Sequence, residues 1–139
     1  MERVIALLRE KNFYLEKFYV LNENEMINFG DGNFESVESF YQARDKILDL
    51  IRCIDGLITE ENTRPLEGVT NDQRTEVEAI LQSKDEWVKS ILAQDLQILQ
   101  YIEREKSNII RELRMTNQSR KAVGAYASIE RLSPPEDEL

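Results

Sequence analysis

The chain has 139 residues, a length that suits one domain; 41% of its residues are hydrophobic, 32% are charged, and five glycines and three prolines favour helices with few turns. Its formal net charge of −9 argues against general nucleic-acid binding, because a phosphate backbone repels an acidic surface. Histidine is absent, which removes the usual general base and the commonest metal ligand, so we expect no catalysis, no metal and no cofactor.

Two features bear on cellular location. No apolar run approaches the roughly 18 residues that cross a bilayer, and no basic-then-apolar signal segment follows Met1. We therefore expect a cytoplasmic protein that does not insert into membranes.

Cys53 is the sole cysteine, which excludes an intrachain disulfide, and we interpret it as a small, half-buried side chain.

The first predicted helix spans Glu2 to Phe29. Its inward positions follow alternating steps of three and four, typical of a helix packed at a shallow angle on a neighbour. These positions are Ile5, Leu8, Asn12, Leu15, Tyr19, Asn22, Met26 and Phe29. The two asparagines in this seam either fix its register or contact a partner, and we favour the first. Phe13, Tyr14 and Phe18 widen the apolar surface, so one antiparallel neighbour does not cover it.

A short turn separates the first helix from the second. Gly30 suits the left-handed residue that ends a helix and Asn33 suits the next N-cap, so we expect the second helix to run antiparallel to the first. The apolar residues of this helix form two adjacent stripes, which indicates two neighbours. One stripe is Phe34, Val37, Tyr41, Leu48, Ile51 and Ile58, and the other is Phe40, Ile47, Ile54 and Leu57. We predict that the helix continues through Gly56 to about Glu61, because the apolar period persists beyond the glycine.

The third helix is the longest predicted element, from Asn71 to about Thr116, and holds neither proline nor glycine. Thr70 and Gln73 match a capping box at its start. Apolar residues then recur at steps of three, four or seven positions, which keeps them on one side of the helix. These are Val77, Leu81, Val88, Ile91, Ile98, Ile102, Ile109 and Leu113. At about 1.5 Å per residue this helix is about 69 Å long, against roughly 42 to 45 Å for each of the first two.

This difference in length predicts a stretch of the third helix without a neighbour. If the three helices pack from a common end, the excess of about 17 residues begins near Gln100. We interpret four aliphatic residues there as a candidate partner-binding groove, although an ordinary core or a dimer seam would show the same pattern. They are Ile98, Ile102, Ile109 and Leu113. The covering would be the chain's own tail, a second copy or another protein's helix.

The tail is the candidate for the first covering. Its residues have helical spacing, Gly124 weakens the segment and Pro134 ends it, so we predict a short helical lid that docks on the groove. The lid residues are Ala122, Val123, Tyr126 and Ile129. The predicted fold is therefore all-α: an antiparallel bundle of three long helices with a short C-terminal helical segment. We predict one domain over residues 1–132 and a disordered, acidic, proline-containing tail over 133–139.

Three stretches of the sequence carry a family resemblance: Phe29–Ser36 (FGDGNFES), Asp95–Leu113 (DLQILQYIEREKSNIIREL) and Ser119–Tyr126 (SRKAVGAY). Their order resembles that of the flagellar export chaperones of the FliT type and, more distantly, of the FlgN type. The resemblance covers roughly residues 7–126, nearly the whole chain.

The resemblance implies a cytosolic helical protein that binds a late substrate of flagellar type III export. FliT-type members hold the filament-cap protein, and FlgN-type members hold hook–filament junction proteins. Such a chaperone keeps an aggregation-prone terminal segment of its client unassembled and delivers it to the export apparatus. In the FliT type the last helix occludes the client groove, which corresponds here to residues 119–132. The residues alone leave open an alternative, a non-catalytic structural protein that dimerises through its third helix.

Overall fold

The structure, a computed structural model, describes residues 1–65 and 67–131, with side chains described as far as residue 124. These ranges contain three helices: α1 (Glu2–Gly30), α2 (Val37–Asn62) and α3 (Asn71–Arg131). The described ranges contain no strand, and the predicted all-α fold with three long helices is confirmed.

The chain divides into two compact units, Met1–Gln100 and Tyr101–Leu139. The boundary between these units lies inside α3, and the single domain predicted over residues 1–132 stays a prediction. The acidic tail predicted at residues 133–139 lies outside the described residues.

α3 ends at Arg131 rather than near Thr116. The predicted C-terminal segment is therefore the last part of α3 and not a separate helix. Gly124 is the one glycine in that segment, and a single glycine costs a helix only about 1 kcal/mol relative to alanine. The segment from Thr116 to Arg131 contains no proline, so no residue in it prevents the backbone from being helical.

The turn between α1 and α2 differs in detail from the prediction. The left-handed residue is Gly32, with φ +78°, while Gly30 is the last residue of α1. The Asn33 side chain accepts a hydrogen bond from the Glu35 amide (3.0 Å), so it stabilises the turn and does not cap α2. Residue Ser36 occupies the N-cap position, yet its hydroxyl donates to the buried Glu25 carboxylate of α1 (2.6 Å). The turn is thus tied to α1 by a side-chain bond.

The start of α3 matches the prediction. The Gln73 amide donates to the Thr70 hydroxyl and the Thr70 amide donates to the Gln73 side chain, both at 3.1 Å, which confirms the capping box. The end of α2 is also close to the prediction: the helix passes through Gly56 and stops at Asn62.

Contacts along the first unit set the directions of its helices. Arg3 and Lys11 form ion pairs with Glu61 and Asp55, at 2.9 and 2.7 Å, so the start of α1 lies beside the end of α2. α3 instead runs parallel to α1, because Arg9 pairs with Glu76 and later residues of α1 contact later residues of α3. The first unit is therefore an up-down-up bundle. Its central cluster takes residues from all three helices: Leu15, Phe18, Ile51 and Ile91.

Both asparagines of the α1 seam bind α3. The Asn12 amide donates to the Ile80 carbonyl (3.0 Å), and the Asn22 amide donates to the Gln94 side chain (3.1 Å). Each also leaves its Oδ1 atom buried and without a hydrogen-bond partner among the described residues. A buried side-chain amide that makes only some of its hydrogen bonds adds little to stability. It still fixes the register of the two helices, because its one bond forms only at that alignment. The structure thus supports the register interpretation of these residues.

Candidate functional site

The four predicted groove residues have different environments. Ile98 is only 2% exposed and belongs to the core of the first unit, so it offers no surface to a partner. Ile102 is half-buried. Ile109 and Leu113 are 48% and 59% exposed, in the second unit. The predicted groove is therefore reduced to its C-terminal half.

Residues 102–123 of α3 form a continuous helical face around those two side chains, here named the 102–123 stripe. Its members follow alternating steps of four and three, which brings them to one side of a helix. They are Ile102, Lys106, Ile109, Leu113, Thr116, Arg120 and Val123. All of them except Ile102 are exposed. The stripe is thus an accessible helical face with four aliphatic side chains and two cations.

The predicted lid residues lie on the same helix as the groove they were expected to cover. Ala122 and Val123 are exposed, and α3 runs unbroken through them. Val123 lies about 15 Å beyond Leu113 along the helix axis, because each residue advances the chain by about 1.5 Å. The side chains of Tyr126 and Ile129 lie outside the described residues. In this structure the backbone of the segment continues α3 beyond Leu113 instead of folding back over Ile109 and Leu113.

A second apolar surface lies between α1 and α2, on the side of α1 turned away from α3. It is an open groove of about 540 Å³. Its lining residues are Phe13, Glu16, Lys17, Val20, Leu21, Asn24, Ala43 and Ile47. This groove was not predicted from the sequence, although two of its lining residues, Phe13 and Val20, lie seven residues apart outside the main seam, and both are exposed. Such a repeat outside the main seam marks a second packing face.

A smaller depression of about 180 Å³ separates α2 from α3 and has α1 as its floor. Arg44 crosses it: the guanidinium lies 4.8 Å from the centroid of the Phe18 ring and forms an ion pair with Asp95 (3.2 Å). Beside it, Leu92 and Leu96 are exposed on α3. Because Arg44 already bridges the two helices, we regard this depression as part of the scaffold.

A polar layer joins α1 to α3 next to the core. The Gln94 amide donates to the Tyr19 carbonyl and to the Glu23 carboxylate, both at 3.1 Å. Its side-chain oxygen accepts from Asn22. The hydrogen bond to Glu23, the negative charge of that carboxylate and partial desolvation all raise the pKa of the Tyr19 phenol. This layer connects residues of the scaffold.

Other classes of site find little support in the part of the chain that is described. No group of three or more acidic or cysteine side chains there is placed to hold a metal ion. Cys53 is exposed, not half-buried as expected. None of the helices in the described ranges is both long and apolar enough to cross a membrane.

The chain matches no protein-family model, no curated protein and no solved structure. An assignment of function therefore depends on the surfaces described above and on the sequence pattern.

Proposed function

We propose that this chain is a flagellar type III export chaperone of the cytoplasm. It binds the amphipathic terminal helix of a late export substrate, either the filament-cap protein or a hook–filament junction protein, and it has no catalytic role. The observation that carries the proposal is the exposure of Ile109 and Leu113, one helical turn apart on the 102–123 stripe.

Burial of these two side chains supplies a driving force for docking. Each is about half exposed, and complete burial of such a side chain is worth roughly 1.5–3 kcal/mol, so covering both releases about 2 kcal/mol. Ile102 and Val123 extend the same face at both ends. An amphipathic helix laid along the stripe covers all four at once, which is the usual way in which helices recognise helices.

The client class comes from the resemblance of Phe29–Ser36, Asp95–Leu113 and Ser119–Tyr126 to FliT-type and FlgN-type chaperones. The alternative function, a structural protein that dimerises through α3, uses the same exposed residues. Sedimentation at increasing concentration separates the two, because a dimeric structural protein gains mass with concentration and a monomeric chaperone does not.

The decisive experiment measures the affinity of the full chain for labelled terminal segments of filament-cap and junction proteins. The variant Ile109→Ser/Leu113→Ser removes the apolar centre of the stripe, and we expect it to weaken binding at least tenfold, since about 1.4 kcal/mol corresponds to tenfold. Met115→Ser is the matched control. Met115 is 60% exposed but points to the opposite side of α3, so its replacement leaves affinity unchanged.

A second variant, Phe13→Ser/Val20→Ser, tests the α1–α2 groove, which both residues line. If this variant abolishes binding and the stripe variant does not, the client docks on the first unit and our choice of surface is wrong. If no segment of either client class binds the unaltered chain, the chaperone function itself is refuted.

A further inference from the structure

We infer that the helix bound by the 102–123 stripe is acidic, with carboxylates placed to meet Lys106 and Arg120. This inference rests on the proposed function, because it specifies the chemistry of the partner that docks there.

The two cations lie within the apolar seam and not on the opposite side of α3. Lys106 stands between Ile102 and Ile109 in the heptad order, and Arg120 stands between Thr116 and Val123. Both are exposed, and neither takes part in an ion pair with another residue of the described ranges. A partner helix that covers the stripe must therefore come close to two unneutralised positive charges. Carboxylates at the facing positions offset, by direct attraction, the desolvation cost that the ammonium and guanidinium groups would otherwise incur.

A second copy of the chain does not meet this requirement. In a parallel pair of stripes, Lys106 faces Lys106 and Arg120 faces Arg120. In an antiparallel pair centred on Leu113, Lys106 of one copy faces Arg120 of the other, because the two cations lie seven residues on either side of Leu113. Like charges at such positions disfavour association. The stripe thus selects against its own copy and in favour of a different, acidic helix.

The charge of the surrounding surface agrees with this assignment. Residues 101–131 hold seven basic and four acidic side chains, a formal charge of +3, whereas residues 1–100 hold 11 basic and 20 acidic ones, a formal charge of −9. An acidic partner is attracted to the second unit and repelled by the first. Complementary charge of this kind chooses between partners and speeds their encounter more than it raises affinity.

The test uses the full chain and three synthetic helical peptides of about 25 residues. All three have leucine at the apolar seam positions. At the polar seam positions and at the positions that flank the seam, the first peptide carries glutamate, the second lysine and the third glutamine. We expect the glutamate peptide to bind roughly tenfold more tightly than the lysine peptide, because exposed charge pairs contribute up to about 1 kcal/mol each. The ratio should fall towards one as the salt concentration rises to about 1 M.

Charge reversal provides the matched comparison. Lys106→Glu/Arg120→Glu should invert the preference, so that the lysine peptide binds more tightly. Arg104→Glu/Arg111→Glu makes the same change in net charge on the opposite side of α3 and should leave the order of the peptides unchanged.

The outcomes separate the two proposals. If no peptide binds, docking on the stripe fails and the acidic-partner inference fails with it, while the experiment with client segments decides the proposed function independently. If the three peptides bind equally, or the opposite-face variant inverts the preference as well, docking survives and the acidic-partner inference is wrong. Concentration-dependent dimerisation of the unaltered chain that disappears in Lys106→Glu/Arg120→Glu would identify the acidic first unit of a second copy as the occupant and would also overturn the inference.

Discussion

Replacement of Gln94 by alanine should uncouple α3 from α1, because this one side chain joins three groups of α1. Its amide donates to the Tyr19 carbonyl and the Glu23 carboxylate, and its oxygen accepts from Asn22. Gln94 is 5% exposed and Asn22 is fully buried. Water therefore does not reach these atoms readily in the folded state to replace the lost bonds.

The expected loss of stability follows from these contacts. Each hydrogen bond contributes about 1 kcal/mol net, and a buried donor left without a partner costs about 1–3 kcal/mol. After Gln94→Ala, the Asn22 amide keeps only a 3.5 Å contact with Asp95, too long to compensate. We predict a decrease of about 3 kcal/mol in the free energy of unfolding. For a unit of about 100 residues, this lowers Tm by roughly 12–24 °C.

Urea unfolding followed by circular dichroism measures the effect, and Gln82→Ala is the control. Gln82 is exposed on the same helix, so its replacement changes helix propensity equally and breaks none of the buried contacts. Asn22→Ala/Gln94→Ala should cost at least about 1 kcal/mol less than the two single changes together, because the double variant leaves no orphaned amide. A loss below about 1 kcal/mol for Gln94→Ala would refute the idea that this layer holds the helices in register.

Three further predictions concern the core, the Tyr19 phenol and the end of α3. Phe40→Ala removes a buried ring that packs edge-on against Phe29 and should lower the free energy of unfolding in urea by about 3–5 kcal/mol. Phe13→Ala removes an exposed ring and should lower it far less. Equal losses of stability would contradict the described core. Because the folded-state pKa of Tyr19 is raised, its contribution to stability is complete below about pH 10 and is lost as the pH rises through that raised pKa. In an ultraviolet titration one tyrosine should ionise late, and Glu23→Gln should lower its pKa; no change on that substitution would show that Glu23 is not the cause. A chain that ends after residue 124 should bind its client no more tightly than the full chain, since the stripe is exposed; a severalfold gain in affinity would restore the lid hypothesis.

The sequence was most informative where a local rule acts alone. The capping box at Thr70 placed the start of α3, and the apolar period carried α2 through Gly56, because a single glycine does not outweigh packing along a whole helix. The arithmetic of helix lengths put the end of shared packing near Gln100, which is where the structure divides into units. These inferences depend on spacing and backbone preference, both of which are properties of neighbouring residues.

Features that depend on tertiary contacts were harder to predict. Gly32 rather than Gly30 adopts the left-handed conformation, and Ser36 donates to Glu25 instead of capping α2, since a carboxylate from α1 lies within reach. Ile98 and Ile109 both belong to the apolar spacing of α3, yet one is buried and the other exposed. Periodicity shows which side of a helix is apolar. Only the position of the neighbouring helices shows where along that side the packing ends and the side chains become exposed.

The most direct test of the account maps where a partner helix binds. Amide chemical shifts of the labelled full chain, recorded with increasing glutamate peptide, report each residue that the peptide contacts. We predict that the largest changes follow the 102–123 stripe, centred on Ile109 and Leu113, while the groove lined by Phe13, Val20 and Ile47 stays unaffected. Changes confined to that groove, with none along the stripe, would contradict the assignment of α3 as the docking surface.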